Sequence, residues 1–258
     1  MTLKTIYTIN KIKYFAISII IMIIIWFIMP SIGHLYIFDF SNLPLPNEVL
    51  LEFLSLLQTY TYWEDLIISF NRVLIGSVIG IFASLLLVIL CTLNWRIKAL
   101  IIPMIEIFRP IPLLAYIPII SIVLRNTEIS IIFITTIGAF FPIFVNLIDG
   151  VEQIPQRYED LFHNQKFLKL SQLYVPILIP KIYTGVLIAI SSSWMGVITA
   201  EILSGKSGIG YFTWQSYNLF KYENVIIGMF SIGFAGILCA LTLRLIKEIY
   251  LNKYFEMK

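Results

Sequence analysis

Long, nearly unbroken apolar blocks separated by short polar breaks set the pattern of this chain. A helix needs about 20 mostly apolar residues to cross a hydrocarbon core. Six blocks qualify: Tyr14–Met29, Leu66–Leu93, Ala99–Leu124, Ile129–Ile148, Val175–Leu203 and Val225–Ile246. Nothing alternates apolar with polar over ten-residue stretches, as the strands of an outer-membrane barrel would. The pattern predicts an all-α polytopic membrane protein with six transmembrane helices. Residues 1–64 form an N-terminal transmembrane helix and an outer amphipathic segment, and residues 65–250 a core of five helices. The first block has a basic lead (Lys4, Lys11, Lys13) but is followed by Pro30-Ser31-Ile32-Gly33-His34, with no small-x-small cleavage site. An uncleaved helix is therefore expected.

Composition narrows the class. The chain is 59% hydrophobic and 13% charged, against about 25% charged in soluble domains, which excludes a water-soluble globule and a disordered chain. Net charge is +3 with no basic block, which excludes a nucleic-acid binder. Cys91 and Cys239 lie inside apolar stretches, so neither a disulfide framework nor a metal site is expected.

Charge placement predicts orientation, because cytoplasmic loops collect lysine and arginine. With the N-terminus inside, the inner segments hold Lys4, Lys11, Lys13, Arg96, Lys98, Arg157, Lys166, Lys169, Lys181, Arg244, Lys247, Lys253 and Lys258. The outer segments hold only Arg125, Lys206 and Lys221, and the first of them carries five acids, Asp39, Glu48, Glu52, Glu64 and Asp65. A multi-pass protein of the cell inner membrane with both termini in the cytoplasm is expected.

Inside the spans, small residues at helical spacing predict close helix packing: Gly76, Gly80 and Ser84; Gly185, Ala189 and Ser193; Gly233, Gly236 and Ala240. Arg72, near the outer end of the second span, is expected to snorkel to the interface. Glu106 and Arg109 are neighbours on one helical face. A lone charge at that depth costs at least ~2.5 kcal/mol, so a mutual pair is one expectation and a role for Arg109 in passing an anion is the other. Pro110, Pro112 and Pro118 follow at once, and broken helix inside a membrane is tolerated only where it is buried in protein or lines a cavity. Glu106, Arg109, Pro110, Pro112, Ser192, Ser193 and Glu201 are the candidate translocation path.

Ala200 to Ser207, with Gly205-Lys206-Ser207, fits a relaxed phosphate-loop pattern. A membrane helix precedes it, where such a loop needs a strand, so no nucleotide is expected on this chain. His34 and His163 are isolated, and no paired carboxylates or Ser/His/Asp set can be assembled in the spans. No catalytic residue is assigned.

The longest inner loop runs from residue 149 to 174. Tyr158, Leu161 and Phe162 stand at helical spacing, with Glu159, Asp160 and His163 between or beside them. Such an amphipathic turn either rests on headgroups or docks in a partner's groove.

Eight strings in order give the chain a family resemblance: Leu43-Pro-Leu-Pro46, Ser69-Phe-Asn-Arg72 to Gly76, Arg109-Pro-Ile-Pro112 to Pro118, Gly138-Ala-Phe-Phe-Pro142 to Asn146, Gly150 to Pro155, Pro176 to Gly185, Trp194-Met-Gly196 to Glu201, and Ser207-Gly208-Ile-Gly210-Tyr. The chain resembles a permease subunit of an ABC importer, in the nitrate/sulfonate/taurine/bicarbonate branch. The loop departs from that pattern: Glu159-Asp160-Leu161 keeps only the glutamate of the family's Glu-Ala-Ala, and no glycine lies between Gly150 and Gly185.

The resemblance implies a type I importer core. It also implies a second permease subunit, expected to be another copy of this chain, an ABC ATPase dimer beneath and a solute-binding protein outside. ATP and magnesium would bind the ATPase and no cofactor would bind this chain. Residues Tyr158 to His163 would couple to the ATPase, and the solute would be a small anion of the nitrate, sulfonate or taurine, or bicarbonate kind. A stand-alone six-helix secondary transporter or channel is the competing expectation. It would show inverted repeats with paired broken helices, whereas this sequence carries one broken region.

Overall fold

The computed structural model describes residues 3–35, 38–160 and 168–251. Helix α1 (Leu3–Ile32) leads to a small antiparallel hairpin, His34–Leu35 against Phe38–Asp39, with His34 opposite Asp39. Then come α2 (Pro46–Leu56), α3 (Tyr60–Leu93), α4 (Trp95–Phe108), α5 (Leu113–Leu124), α6 (Thr127–Glu152) and α7 (Gln156–Asp160). A π-helical turn, Lys169–Tyr174, runs into α8 (Val175–Ser204), followed by α9 (Ile209–Asn218) and α10 (Tyr222–Ile246). The all-α membrane architecture is the one the apolar blocks predict.

Two spans differ in extent from the sequence pattern. The second begins at Tyr60 and the fifth at Lys169, because the flanking residues have no competing turn chemistry and continue the helical hydrogen bonding. The third block does not form one rod: α4 and α5 meet at a 105° bend. The break covers Arg109 to Pro112, where Pro110 and Pro112 remove two amide donors. Pro118, by contrast, sits within α5. The broken ends are partly repaired, since the Tyr116 hydroxyl donates to the Phe108 carbonyl at 2.7 Å and the Ile111 amide to the same oxygen at 3.1 Å.

The core is α3 and α8 both packed on α6 and touching each other, with small residues at the crossing points. A Cβ on Gly76 would stand 2.7 Å from Thr135 Cβ, and one on Gly80 2.7 Å from both Ala139 Cβ and the Thr136 carbonyl. Ser84 donates to the Phe140 carbonyl at 2.8 Å. These contacts advance together, 76 to 84 against 135 to 140, so α3 and α6 are parallel. The α4–α5 pair must therefore return the chain across the bundle despite its bend. Lys98 accordingly pairs with Glu152 at 2.9 Å at the end where α6 finishes, while Asn126 accepts from the Ile129 amide to cap its start.

Helix α8 runs antiparallel to α6. Gly185 lies against Ile143 and Asn146, Gly138 against the Ser192 carbonyl, and Gly196 against Ile134 and Thr135. The expected ridges on the second and fifth spans are thus packing seams. The third ridge is not, because a Cβ on Gly233 or Gly236 would meet nothing within 4 Å. Helix α1 stands apart, with its apolar span unburied. It is tied to the rest by Trp26, whose indole donates to the Pro44 carbonyl at 3.1 Å and whose ring lies 5.9 Å from Phe230.

Candidate functional site

Three of the recurring strings converge at one end of the bundle. Arg72 on α3 is 3% exposed and Glu201 on α8 is 0% exposed. The guanidinium donates to Glu201 Oε1 at 2.7 Å, pairs with Glu128 on α6, and donates to the Ser207 carbonyl at 2.8 Å. Glu201 also accepts from Ser69 Oγ at 2.7 Å and from the Gly210 amide at 3.0 Å. The Gly208 amide goes to Asp65 at 2.7 Å and the Ile209 amide to Ser69 Oγ at 2.9 Å. One charged cluster thus ties α3, α6 and α8 to the loop that enters α9.

This arrangement corrects two expectations. Arg72 does not snorkel: acceptors on Glu201, Glu128 and Ser207 replace its water. Glu201 lines no open path, because its carboxylate is consumed by the clamp. Ser193 is likewise sealed, fully buried with its hydroxyl directed at the Thr135 carbonyl. The Gly205-Lys206-Ser207 stretch is the α8 terminus folding onto the clamp, with the Gly208, Ile209 and Gly210 amides already bonded to Asp65, Ser69 and Glu201. The clamp was legible in part. A guanidinium and a carboxylate in different spans near the same membrane face are expected to find each other.

At mid-height lies a cavity of 340 Å³ lined by Arg109, Leu113, Gly138, Asn146 and Ser192 among others. Gly138 and Phe141 sit near the middle of α6, which places the cavity midway along a spanning helix. Pro110 and Pro112 form the break that opens beside it. Ser192 reaches this cavity, in contrast to its neighbour Ser193. The expected mutual pair is absent. Among the described residues Glu106 and Arg109 form no ion pair, and both are exposed on the chain's own surface. The α4 terminus turns Arg109 towards the cavity while Glu106, one turn earlier, stays outside its lining.

At the opposite end from the clamp, α6 continues to Glu152 and a turn leads into α7. Tyr158 is exposed, with the Arg157 guanidinium 4.9 Å above its ring. Glu159 and Asp160 complete α7. Leu161, Phe162 and His163 lie outside the described residues.

Comparison with known proteins points one way. Residues 76–254 match the family described as binding-protein-dependent transport system inner membrane component. A nitrate import permease protein of Leptolyngbya laminosa is 33% identical over 183 residues, 69% of this chain and 64% of that protein. A bicarbonate transport system permease protein of Synechococcus elongatus is 34% identical over 181 residues, 69% of this chain and 65% of that protein. A putative aliphatic sulfonates transport permease protein of Bacillus subtilis is 25% identical over 231 residues, 88% and 83% of the two chains. The chain spans just under two thirds of the length of the first two.

Proposed function

The chain belongs to the family of inner-membrane components of binding-protein-dependent transport systems, and from that premise we propose that two copies of it form the pathway of an ATP-driven importer for a small anion. The solute class follows the names of the relatives, which span nitrate, bicarbonate and aliphatic sulfonates. ATP and magnesium belong to a separate ATPase dimer, and an external binding protein delivers the solute to the clamp end.

Arg109 carries this reading. It is a guanidinium at mid-membrane depth, exposed on the chain's own surface and bonded to no carboxylate among the described residues. Against lipid it would cost at least ~2.5 kcal/mol. Facing a second subunit across a wet path it costs far less, and it attracts anions. An ATPase dimer with two-fold symmetry presents two equivalent clefts, which asks for two permease chains. The α6–α7 end, with exposed Tyr158, supplies one docking element per chain.

Orientation is tested by cysteine labelling. Probes at Asn42 and Asn218 should react from outside the cell, and probes at Asn94 and Gln165 only after permeabilisation. Outside labelling of Gln165 would place the loop beyond the ATPase's reach. Coupling is tested by Glu159→Arg in the reconstituted complex, which should insert normally yet lose nearly all ATP-driven uptake. Substrate-stimulated ATPase activity at the wild-type rate in that variant would reduce the loop to a helix resting on headgroups.

A further inference from the structure

The mid-membrane cavity has a counterpart one storey nearer the clamp end. A cup of 300 Å³ is lined by Ile117, Ser121 and Arg125 from α5 and its end, Ser130 and Ile134 from α6, and Ser204 from α8. Both spaces occupy the same cleft between α5, α6 and α8, in the same order along all three helices. Each has an arginine flanking α5, Arg125 directly after it and Arg109 on the far side of the proline break before it, and the helix between them is about 18 Å long at 1.5 Å per residue. Among the described residues neither guanidinium has a hydrogen-bond or carboxylate partner, and the nearby Glu128 is held by Arg72. Arg125 keeps a left-handed backbone at φ 51°, a conformation that usually goes to glycine or asparagine.

Between the two spaces stands Leu113, the first residue of α5 after the proline break. Its Cδ1 is 3.4 Å from where a Cβ would stand on Gly138 and the same distance from one on Gly196. The two glycines, on α6 and α8, leave the niche that this methyl occupies. Residues immediately on either side, Ile134 above and Ile137 below, line different spaces.

We propose that Leu113 is the barrier between two oxyanion stations, an outer one at Arg125 and a mid-membrane one at Arg109 with the Ser192 hydroxyl and Asn146. The inference rests on the importer reading above and adds the place where the path is closed. Because Leu113 opens α5 directly after Pro112, a swing of α5 about the 105° break would carry the barrier out of its glycine niche. Small oxyanions fit spaces of this size. Each station provides one positive charge with a neutral hydroxyl beside it, Ser121 in the outer cup and Ser192 in the mid-height cavity, whereas Ser130 and Ser204 already donate to the Asn126 and Glu201 carbonyls.

The test uses the permease–ATPase complex in sealed vesicles with nitrate as the probe and no ATP. Wild type should be tight. Leu113→Gly should pass nitrate at least tenfold faster, and adding Arg109→Gln or Arg125→Gln should cut that leak several-fold, while Leu114→Ala, on the exposed side of the same turn, stays tight. A tight, fully assembled Leu113→Gly complex would overturn the barrier, as would a leak indifferent to both arginines. The importer reading is judged separately: a Leu113→Gly leak in a complex whose wild type, supplied with its solute-binding protein and ATP, shows no uptake of nitrate, bicarbonate or taurine would keep the barrier and sink the importer.

Discussion

Glu201→Ala is expected to cost the folded protein about 3–5 kcal/mol, the usual penalty for removing one partner of a buried ion pair. The loss exceeds one contact because the Arg72 side chain stays buried, with Glu128 its remaining carboxylate partner, and Ser69 and the Gly210 amide lose their acceptor. Arg72→Met should be comparably severe, since it strands a carboxylate that is 0% exposed. The double change Arg72→Met with Glu201→Met should be milder than either single, because well-packed apolar residues often replace a buried pair without loss. Glu128 tolerates the double change, its side chain being 54% exposed. Thermal unfolding of the detergent-solubilised chain, followed by size-exclusion recovery, measures all three. A double variant as unstable as the sum of the singles would mean the pair is not an energetic unit.

Gly80→Leu is the second large effect. A Cβ at Gly80 would already press on the Thr136 carbonyl and on Ala139 Cβ at 2.7 Å, and on the Phe140 amide nitrogen at 3.1 Å. Two of those atoms are backbone in the middle of α6 and have no rotamer by which to yield. Overpacking a core costs about 1–3 kcal/mol even where side chains give way, so a leucine here should exceed that range and separate α3 from α6. The same cut would lengthen the Ser84 bond to the Phe140 carbonyl and pull Arg72 from Glu128. Loss of a monodisperse species should accompany it. Gly233→Leu, at a position open on all sides in this chain, should leave the monomer's stability unchanged, and the contrast between the two isolates the packing term.

Apolar block length, charge bias and the ordered strings were sufficient by themselves for the all-α membrane class, the location of a broken third span and the permease family. Those properties are local or additive: a hydrophobic run, a proline pair or a string of motif residues signals the same thing wherever its neighbours lie. The partners of Arg72, Glu201 and Arg109 are of another kind. Arg72 and Glu201 are 129 positions apart, and no periodicity in either span announces that parallel α3 and α6 place Arg72 between Glu128 and Glu201. Conversely, Glu106 and Arg109 share a helical face by spacing, yet the bend at Pro110 and Pro112 turns one towards the cavity and leaves the other outside. The niche that seats Leu113 exists only because glycines from two helices, Gly138 and Gly196, meet in front of a third. Which small residue packs, which serine is sealed and which faces open space was decided by the crossing of α6 with α3, α5 and α8, since burial is a property of pairs of helices and not of either one alone.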